Sequence, residues 1–509
     1  MPIRINPSQE KWLLLSSILF FYLLRFSIIG RLELAPDEAY YWYWSKHLDF
    51  SFTDHPPMVA YVISFFTGIG GNTEFFVRLG GLVSSTAALF LLYQTSQILF
   101  PGNGNMGWET LFIFNLNLLF SAGCLLQTPD SMMFFFWAGA VFWGSKIIMK
   151  GSRHDWYWWG IALGFGLLSK YTMILIVPCT FIFLLLSSAH RFWLIKKEPY
   201  LALLIAFVIF LPVIFWNWQH HGVSFLYQLH QGFNPEKRDI FQILNKLLAY
   251  IGEQAGVVTP LLFISFVMYT IKGILIALRE KKEEYLYLSS LSWPILLFFG
   301  ISTVQGKVAG ANWPVPAFIA GTMLMISVYH EYYKERKGHR FLMNSGVVLA
   351  LILSIVAHAH LIRPFIPIAP TLDPTQQFHG WKALGGRINQ YVDENPGPER
   401  YFLLSDRGTT AAEAVFYTGN RFIGLDFNSP ERYLFLHNID FLRGKEAILL
   451  LHNRSAEALS QYHSYFETIQ PIGKYDSIFR STPIDSLSLQ LAIGKGFRGN
   501  WSPHSGGQK

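Results

Sequence analysis

The sequence predicts a polytopic α-helical membrane protein that carries a small C-terminal extracytoplasmic α/β domain, and three observations lead to that expectation. The 509 residues are 51% hydrophobic and only 14% charged, with 45 Phe and 16 Trp. The apolar residues gather in runs of about 18 to 22, long enough to cross a hydrocarbon core of about 30 Å as helix. From about residue 361 onward the pattern changes to short β-like runs separated by polar stretches.

Inside lipid a backbone must satisfy its own hydrogen bonds, so each apolar run reads as a helix. There are about eleven such runs. In order they cover roughly 12–30, 76–99, 108–127, 131–149, 156–169, 171–189, 200–216, 257–276, 286–303, 314–329 and 341–360. The first follows Arg4 and Lys11 as a signal peptide would, but it is too long for that and no small-residue cleavage site follows, so it reads as a retained anchor. Charge within the runs is sparse, and Arg25 stands out. No internal repeat is visible.

The net charge of +7 reflects basic residues placed in short loops between spans, which points to membrane topology and not to nucleic acid. With the N-terminus inside, the cytoplasmic loops hold Lys146, Lys150 and Arg153, then Arg191, Lys196 and Lys197, then Lys272, Arg279, Lys281 and Lys282, and last Lys334, Arg336, Lys337 and Arg340. The opposite side is poorer in lysine and arginine, as the positive-inside rule requires. An odd number of spans then puts the C-terminal part outside. Cys124 and Cys179 fall in predicted spans and imply neither a disulfide framework nor a thiolate metal site.

Pro364, Pro367, Pro370 and Pro374 form a stiff connector into the C-terminal part. Beyond it, Tyr401–Leu404, Ala447–Leu451 and Ser488–Ile493 read as strands. The expected domains are therefore 1–360, transmembrane with a catalytic first external loop at 31–75, and 361–509, extracytoplasmic.

Several polar residues then face one side of the membrane. The first loop, "LAPDEAYYWYWSKHLDFSFTDHPPMVAYV", offers Asp37, Glu38, Asp54 and His55 among aromatic rings. Asp130 lies where the third span meets the fourth, Lys170 between the fifth and sixth, and Lys307 and Asn312 at the mouth of the tenth. Each also has an ordinary structural explanation. Pro36-Asp37-Glu38 suits a helix start, where the helix dipole favours carboxylates. Thr128-Pro129-Asp130 suits a capped helix. The lysines can snorkel to the interface, His55 can sit in a turn, and the rings can form an interfacial aromatic belt. The conjunction is more informative: a carboxylate can deprotonate an acceptor while cations stabilise a departing phosphate. Rings such as Tyr40 and Tyr41 can stack on a sugar. Together they suggest group transfer from a lipid phosphate.

At these residues the sequence resembles a known family. "PDEAYYWYWSKHL…FTDHPPMVAYVI", "TPDSMMFFFW", "LLSKYTM" and "ANWPVPAF" are similar to the bacterial branch of the dolichyl-phosphate-mannose protein mannosyltransferase superfamily, which includes the aminoarabinose transferases of lipid A. The likeness covers roughly residues 10 to 360, and "LLSDRGTTAAEAVFYTGN" resembles the periplasmic domain of that branch more faintly. The resemblance implies a C-type glycosyltransferase fold in a bacterial inner membrane. It also implies inverting transfer of a sugar from a polyprenyl-phosphate donor to an extracytoplasmic acceptor, lipid A or another surface glycan. Asp37 would be the general base with Glu38 beside it; Asp130 would shape the acceptor or sugar site, and Lys170 would meet the carrier phosphate. Tyr40, Tyr41, Asp54, His55, Lys307 and Asn312 complete the expected substrate-binding set. Where the aminoarabinose enzymes carry a lysine before a proline, this chain has His55, whose contact with phosphate would depend on pH. No cofactor is expected, and Asp37, Asp130 and His55 leave a divalent metal open. A protein hydroxyl is the alternative acceptor. A transporter or flippase of lipid-linked sugars is the alternative class, disfavoured because charge lies at one surface and not at mid-membrane.

Overall fold

A computed structural model describes residues 6–102, 106–232, 239–306, 310–395, 397–436, 439–452 and 459–501. In chain order the helices begin with α1 (Pro7–Ile29), α2 (Pro36–Lys46), α3 (Met58–Gly70), α4 (Glu74–Leu99), α5 (Met106–Leu116) and α6 (Leu118–Leu125). They continue with α7 (Pro129–Lys150), α8 (Asp155–Ser169), α9 (Ile176–Leu186), α10 (Lys197–Gln219), α11 (Val223–Gly232), α12 (Ile240–Val258) and α13 (Pro260–Glu280). The rest are α14 (Glu283–Ser290), α15 (Trp293–Gln305), α16 (Val315–Val328), α17 (Lys337–Ile362), α18 (Trp381–Glu394) and α19 (Gly408–Tyr417). Five strands follow the connector: β1 (Tyr401–Ser405), β2 (Gly424–Asp426), β3 (Glu446–Leu451), β4 (Thr468–Phe479) and β5 (Thr482–Lys495).

The chain divides into two compact units. The first comprises 1–27, 81–125 and 129–358; the second comprises 28–80, 126–128 and 359–509. The segment 31–75 therefore groups with the C-terminal part and not with the helical bundle.

In the first unit the helices pack around an apolar core that includes Trp137, Phe266, Tyr269 and Met323. Among the described residues six helical segments are long and apolar enough to cross a membrane: α4, α7, α10, α13, the α14–α15 stretch and α17. The other sequence-predicted spans fall on α1, on α5 with α6, on α8, on the Tyr171–Leu186 stretch and on α16. Arg25 is 3% exposed and hydrogen-bonds Ser121 within this bundle.

The second unit is built on a mixed sheet of order β2-β1-β3-β5-β4. β1 runs parallel to β2 and β3, with Leu404 opposite both Leu425 and Leu449, whereas β5 is antiparallel to β3 and β4. β1 and β3 are buried throughout, as parallel strands covered on both faces must be. β4 and β5 close through Arg480 and Ser481, both at positive φ (51° and 65°), the backbone of a two-residue hairpin turn. β4 went unseen in the sequence because it is an edge strand, mostly exposed at its start and carrying Pro471 and Gly473 at a bulge. Edge positions are where a strand tolerates proline. The connector is fixed by His360, whose Nδ1 accepts from the Phe365 and Ile366 amides, so that Nε2 donates to Asp373 (2.9 Å). α19 packs on α2 within this unit.

Candidate active site

The first loop becomes α2 for the local reasons the sequence suggests: Pro36 at the first position, two acids in the first turn, and Glu38 reaching back to the Ala35 amide. The two neighbouring carboxylates meet different surroundings. Glu38 is 0% exposed and pairs with Arg78, which is 1% exposed. Arg78 Nε donates to both Glu38 oxygens (2.9 and 3.1 Å) and Nη2 to Oε2 (2.7 Å). Its remaining N–H groups reach the carbonyls of Ile29, Leu32 and Glu33. Glu38 also accepts from the amide of Gln127 (2.9 Å). A buried ion pair is tolerable only when its donors and acceptors are satisfied in this way, and it ties the end of α1, the start of α2, α4 and the 126–128 segment together.

Asp37 is exposed, and among the described residues no hydrogen bond or ion pair engages its carboxylate. It is open on one side and surrounded by protein elsewhere. That partial withdrawal from water raises its proton affinity; Arg432 opposes the rise, while Asp54 and Glu38 add to it. An accessible carboxylate with raised proton affinity is what a general base requires.

Asp54 is buried and receives Arg432 Nε at 2.9 Å. The Tyr40 hydroxyl lies 3.1 Å from Asp54 Oδ2 and 2.9 Å from the Arg432 carbonyl. The Tyr40 ring is 2% exposed and packs on Trp44 and on the Arg432 guanidinium, 4.9 Å from the ring centre, so protein occupies the surfaces that a sugar would need. Tyr41 is 7% exposed, against Trp44 and the His55 ring. His55 is half-buried, and its carbonyl accepts from the Phe52 amide.

In the first unit the structure brings together three residues far apart in sequence. Lys170 lies in extended backbone just past α8 and places Nζ 2.7 Å from Asp130 Oδ1, in the first turn of α7. Asn312, before α16, donates to Asp130 Oδ2 (2.9 Å). Lys307 lies outside the described residues. Among the described residues no three His, Cys, Asp or Glu side chains form a metal-ligating group.

Sequence reasoning missed Arg78, Arg432 and Gln127. Arg78 had a signal, a lone arginine within the predicted 76–99 span. The Gln127 side chain is 0% exposed, and among the described residues neither its oxygen nor its nitrogen meets a partner. The only sequence signal was its place in "QTPDSMMFFFW".

The chain is similar to several known proteins. Residues 54–216 match the family model described as dolichyl-phosphate-mannose-protein mannosyltransferase. A lipid A galacturonosyltransferase, RgtD of Rhizobium johnstonii, is 30% identical over 341 residues, 66% of this chain and 66% of that one. The undecaprenyl phosphate-α-4-amino-4-deoxy-L-arabinose arabinosyl transferase 2 of Proteus mirabilis is 22% identical over 394 residues, 71% of this chain and 68% of that one. The crystal structure of ArnT from Cupriavidus metallidurans bound to undecaprenyl phosphate covers 94% of this chain and 97% of its own, with a TM-score of 0.60 at 14% identity, a likeness of fold. The fold is thus that of a polytopic C-type glycosyltransferase with a C-terminal β-containing domain. The chain belongs to the bacterial branch of the dolichyl-phosphate-mannose protein mannosyltransferase superfamily, whose members are membrane glycosyltransferases using lipid-phosphate-linked sugars.

Proposed function

We propose that this protein is an inverting glycosyltransferase that moves a sugar from a polyprenyl-phosphate donor to lipid A, or to another cell-surface glycan, on the extracytoplasmic face of the bacterial inner membrane. The observation that carries the proposal is the contrast at the start of α2: an exposed, unengaged Asp37 held beside a fully engaged Glu38. Asp37 takes the proton of the acceptor hydroxyl as its oxygen bonds to the anomeric carbon. The bond from that carbon to the phosphate oxygen breaks, and polyprenyl phosphate leaves with the electron pair. One base and one in-line leaving group suffice, with no covalent enzyme intermediate. Glu38 acts through the rigidity it gives α2, a positioning role. In the other unit, Lys170 held by Asp130 and Asn312 is the proposed partner for the carrier phosphate. The relatives favour lipid A as acceptor, since one is described as a lipid A galacturonosyltransferase, and a uronic acid is the first sugar to test.

The test is mass spectrometry of lipid A and surface glycans from a deletion strain complemented with wild type or with an equally expressed Asp37→Asn variant. A sugar mass present with wild type and absent with the variant is the expected result. Equal glycan profiles in both strains would move the search to protein acceptors, and equal glycoproteomes would end the transferase reading.

A further inference from the structure

Arg432 belongs to the C-terminal part of the chain, yet its side chain reaches the first loop. It sits in a short 3-10 turn, Pro430–Tyr433, and its guanidinium meets Asp54 at 2.9 Å while lying over the Tyr40 ring at 4.9 Å. The backbone of the turn is engaged as well: the Glu431 carbonyl accepts from Thr53 Oγ1 (2.6 Å) and the Arg432 carbonyl lies 2.9 Å from the Tyr40 hydroxyl. The turn is itself held in place. Asp426, at the end of β2, accepts from the amides of Asn428 and Ser429 through Oδ1, and from Gly408 through Oδ2. The Tyr433 hydroxyl donates to the Gly408 carbonyl (2.8 Å). A Cβ at Gly408 would come within 2.8 Å of both the Asp426 carboxylate and the Tyr433 hydroxyl, so a larger residue there would displace the groups that brace the turn.

A surface ion pair of long side chains contributes little and would not need such support. This one has a carboxylate that is 6% exposed, an aromatic platform and a braced turn. It also lies among the charges that act on Asp37: Arg432 favours the ionised carboxylate, whereas Asp54 and Glu38 disfavour it.

We infer that Arg432 is a positioning residue of the transferase site, supplied by the C-terminal part of the chain to hold Asp54 and the Tyr40 end of the first loop, and with them the helix start that carries Asp37. This rests on the proposed role of Asp37. Without Arg432, the effects of Asp54 and Glu38 on Asp37 lose the charge that opposes them, so Asp37 is expected to hold its proton to higher pH.

The experiment uses the full-length protein in detergent and reads Asp37 directly. Labelling by dicyclohexylcarbodiimide, which attacks protonated carboxyls, is followed at Asp37 by peptide mass spectrometry across pH in wild type, Arg432→Met, Arg432→Gln and Arg432→Lys. Methionine keeps the packing over Tyr40, and glutamine serves if that variant does not fold. The labelling midpoint is expected to move to higher pH without the charge and to return with lysine. In parallel, transfer from undecaprenyl-phosphate galacturonic acid to lipid A is expected to fall on the order of tenfold near neutral pH and to recover at alkaline pH. A midpoint unmoved in a folded charge-removing variant overturns the inference. So does equal loss of transfer at every pH in the methionine and lysine variants, which would make Arg432 a direct substrate contact. Full activity of Asp37→Asn would instead defeat the base assignment, and the labelling distinguishes the two failures because it needs no turnover.

Discussion

Two ion pairs, one in each unit, use the same chemistry to different ends. Glu38–Arg78 is sealed, at 0% and 1% exposure, and the guanidinium N–H groups all have acceptors. Lys170–Asp130 is more open, with 19% of the Asp130 side chain exposed and one neutral donor, Asn312, in support. A sealed pair can only fix geometry, because any ligand entering it would leave a buried charge unmatched. An open pair can exchange a partner for a ligand at modest cost. The difference separates the part of the molecule that holds the site rigid from a part able to answer to an anion.

The largest effect expected on this comparison is at neither pair but at the group the sealed pair positions. Asp37→Asn should lower kcat by about 10² to 10⁴ while leaving the Tm unchanged, as measured in matched transfer and thermal-unfolding assays. Because the Asp37 carboxyl lies above its usual range, the base form is lost as pH falls through that raised value. The acid limb of kcat/KM should therefore sit at higher pH than an ordinary aspartate would give.

Breaking the sealed pair should act on folding. Arg78→Met strands the buried Glu38 carboxylate and should cost about 3 to 5 kcal/mol, read as a large fall in Tm or loss of the monodisperse protein. If Arg78→Met instead kept the Tm and lost only transfer, the pair would be functional in its own right.

The open pair should give the reverse pattern. Lys170→Met should reduce kcat/KM for the lipid-linked donor by roughly 10- to 100-fold, the scale of a charged hydrogen bond, with a smaller fall in Tm than Arg78→Met. Equal Tm losses in the two variants would erase the distinction.

The smallest effect is a gain. Glu413, on α19, is 0% exposed, and among the described residues neither carboxylate oxygen has a hydrogen-bond partner. Burial, with Glu38 and Glu33 nearby, pushes its carboxyl well above the ordinary value against the pull of Arg78. A group whose folded value is raised gives stability that is complete at low pH and lost as pH rises toward that value. Glu413→Gln should therefore match wild type in Tm under acidic conditions and exceed it increasingly as pH rises, by differential scanning fluorimetry.

Much of this was legible in the sequence where the signal was local. Apolar runs mark helices because burial in lipid is decided over about 20 consecutive residues. Pro36-Asp37-Glu38 marks a helix start because the cap and dipole act within one turn. β1 and β3 showed as short apolar runs because both faces are covered. β4 did not, because an exposed edge strand with a proline has no such pattern.

The sequence alone determined the membrane class, the places of the long apolar helices and the list of polar residues worth watching, but not α3, α11 or α12, which lie in stretches that read as loops. Only the tertiary structure decided which of them meet: that Glu38 is sealed by Arg78, that Asp54 answers to an arginine 378 residues away, and that Lys170 and Asn312 converge on Asp130. The physical reason is range. Helix signals are written in neighbours along the chain, whereas charge pairing is settled by which surfaces the folded chain brings into contact and takes out of water.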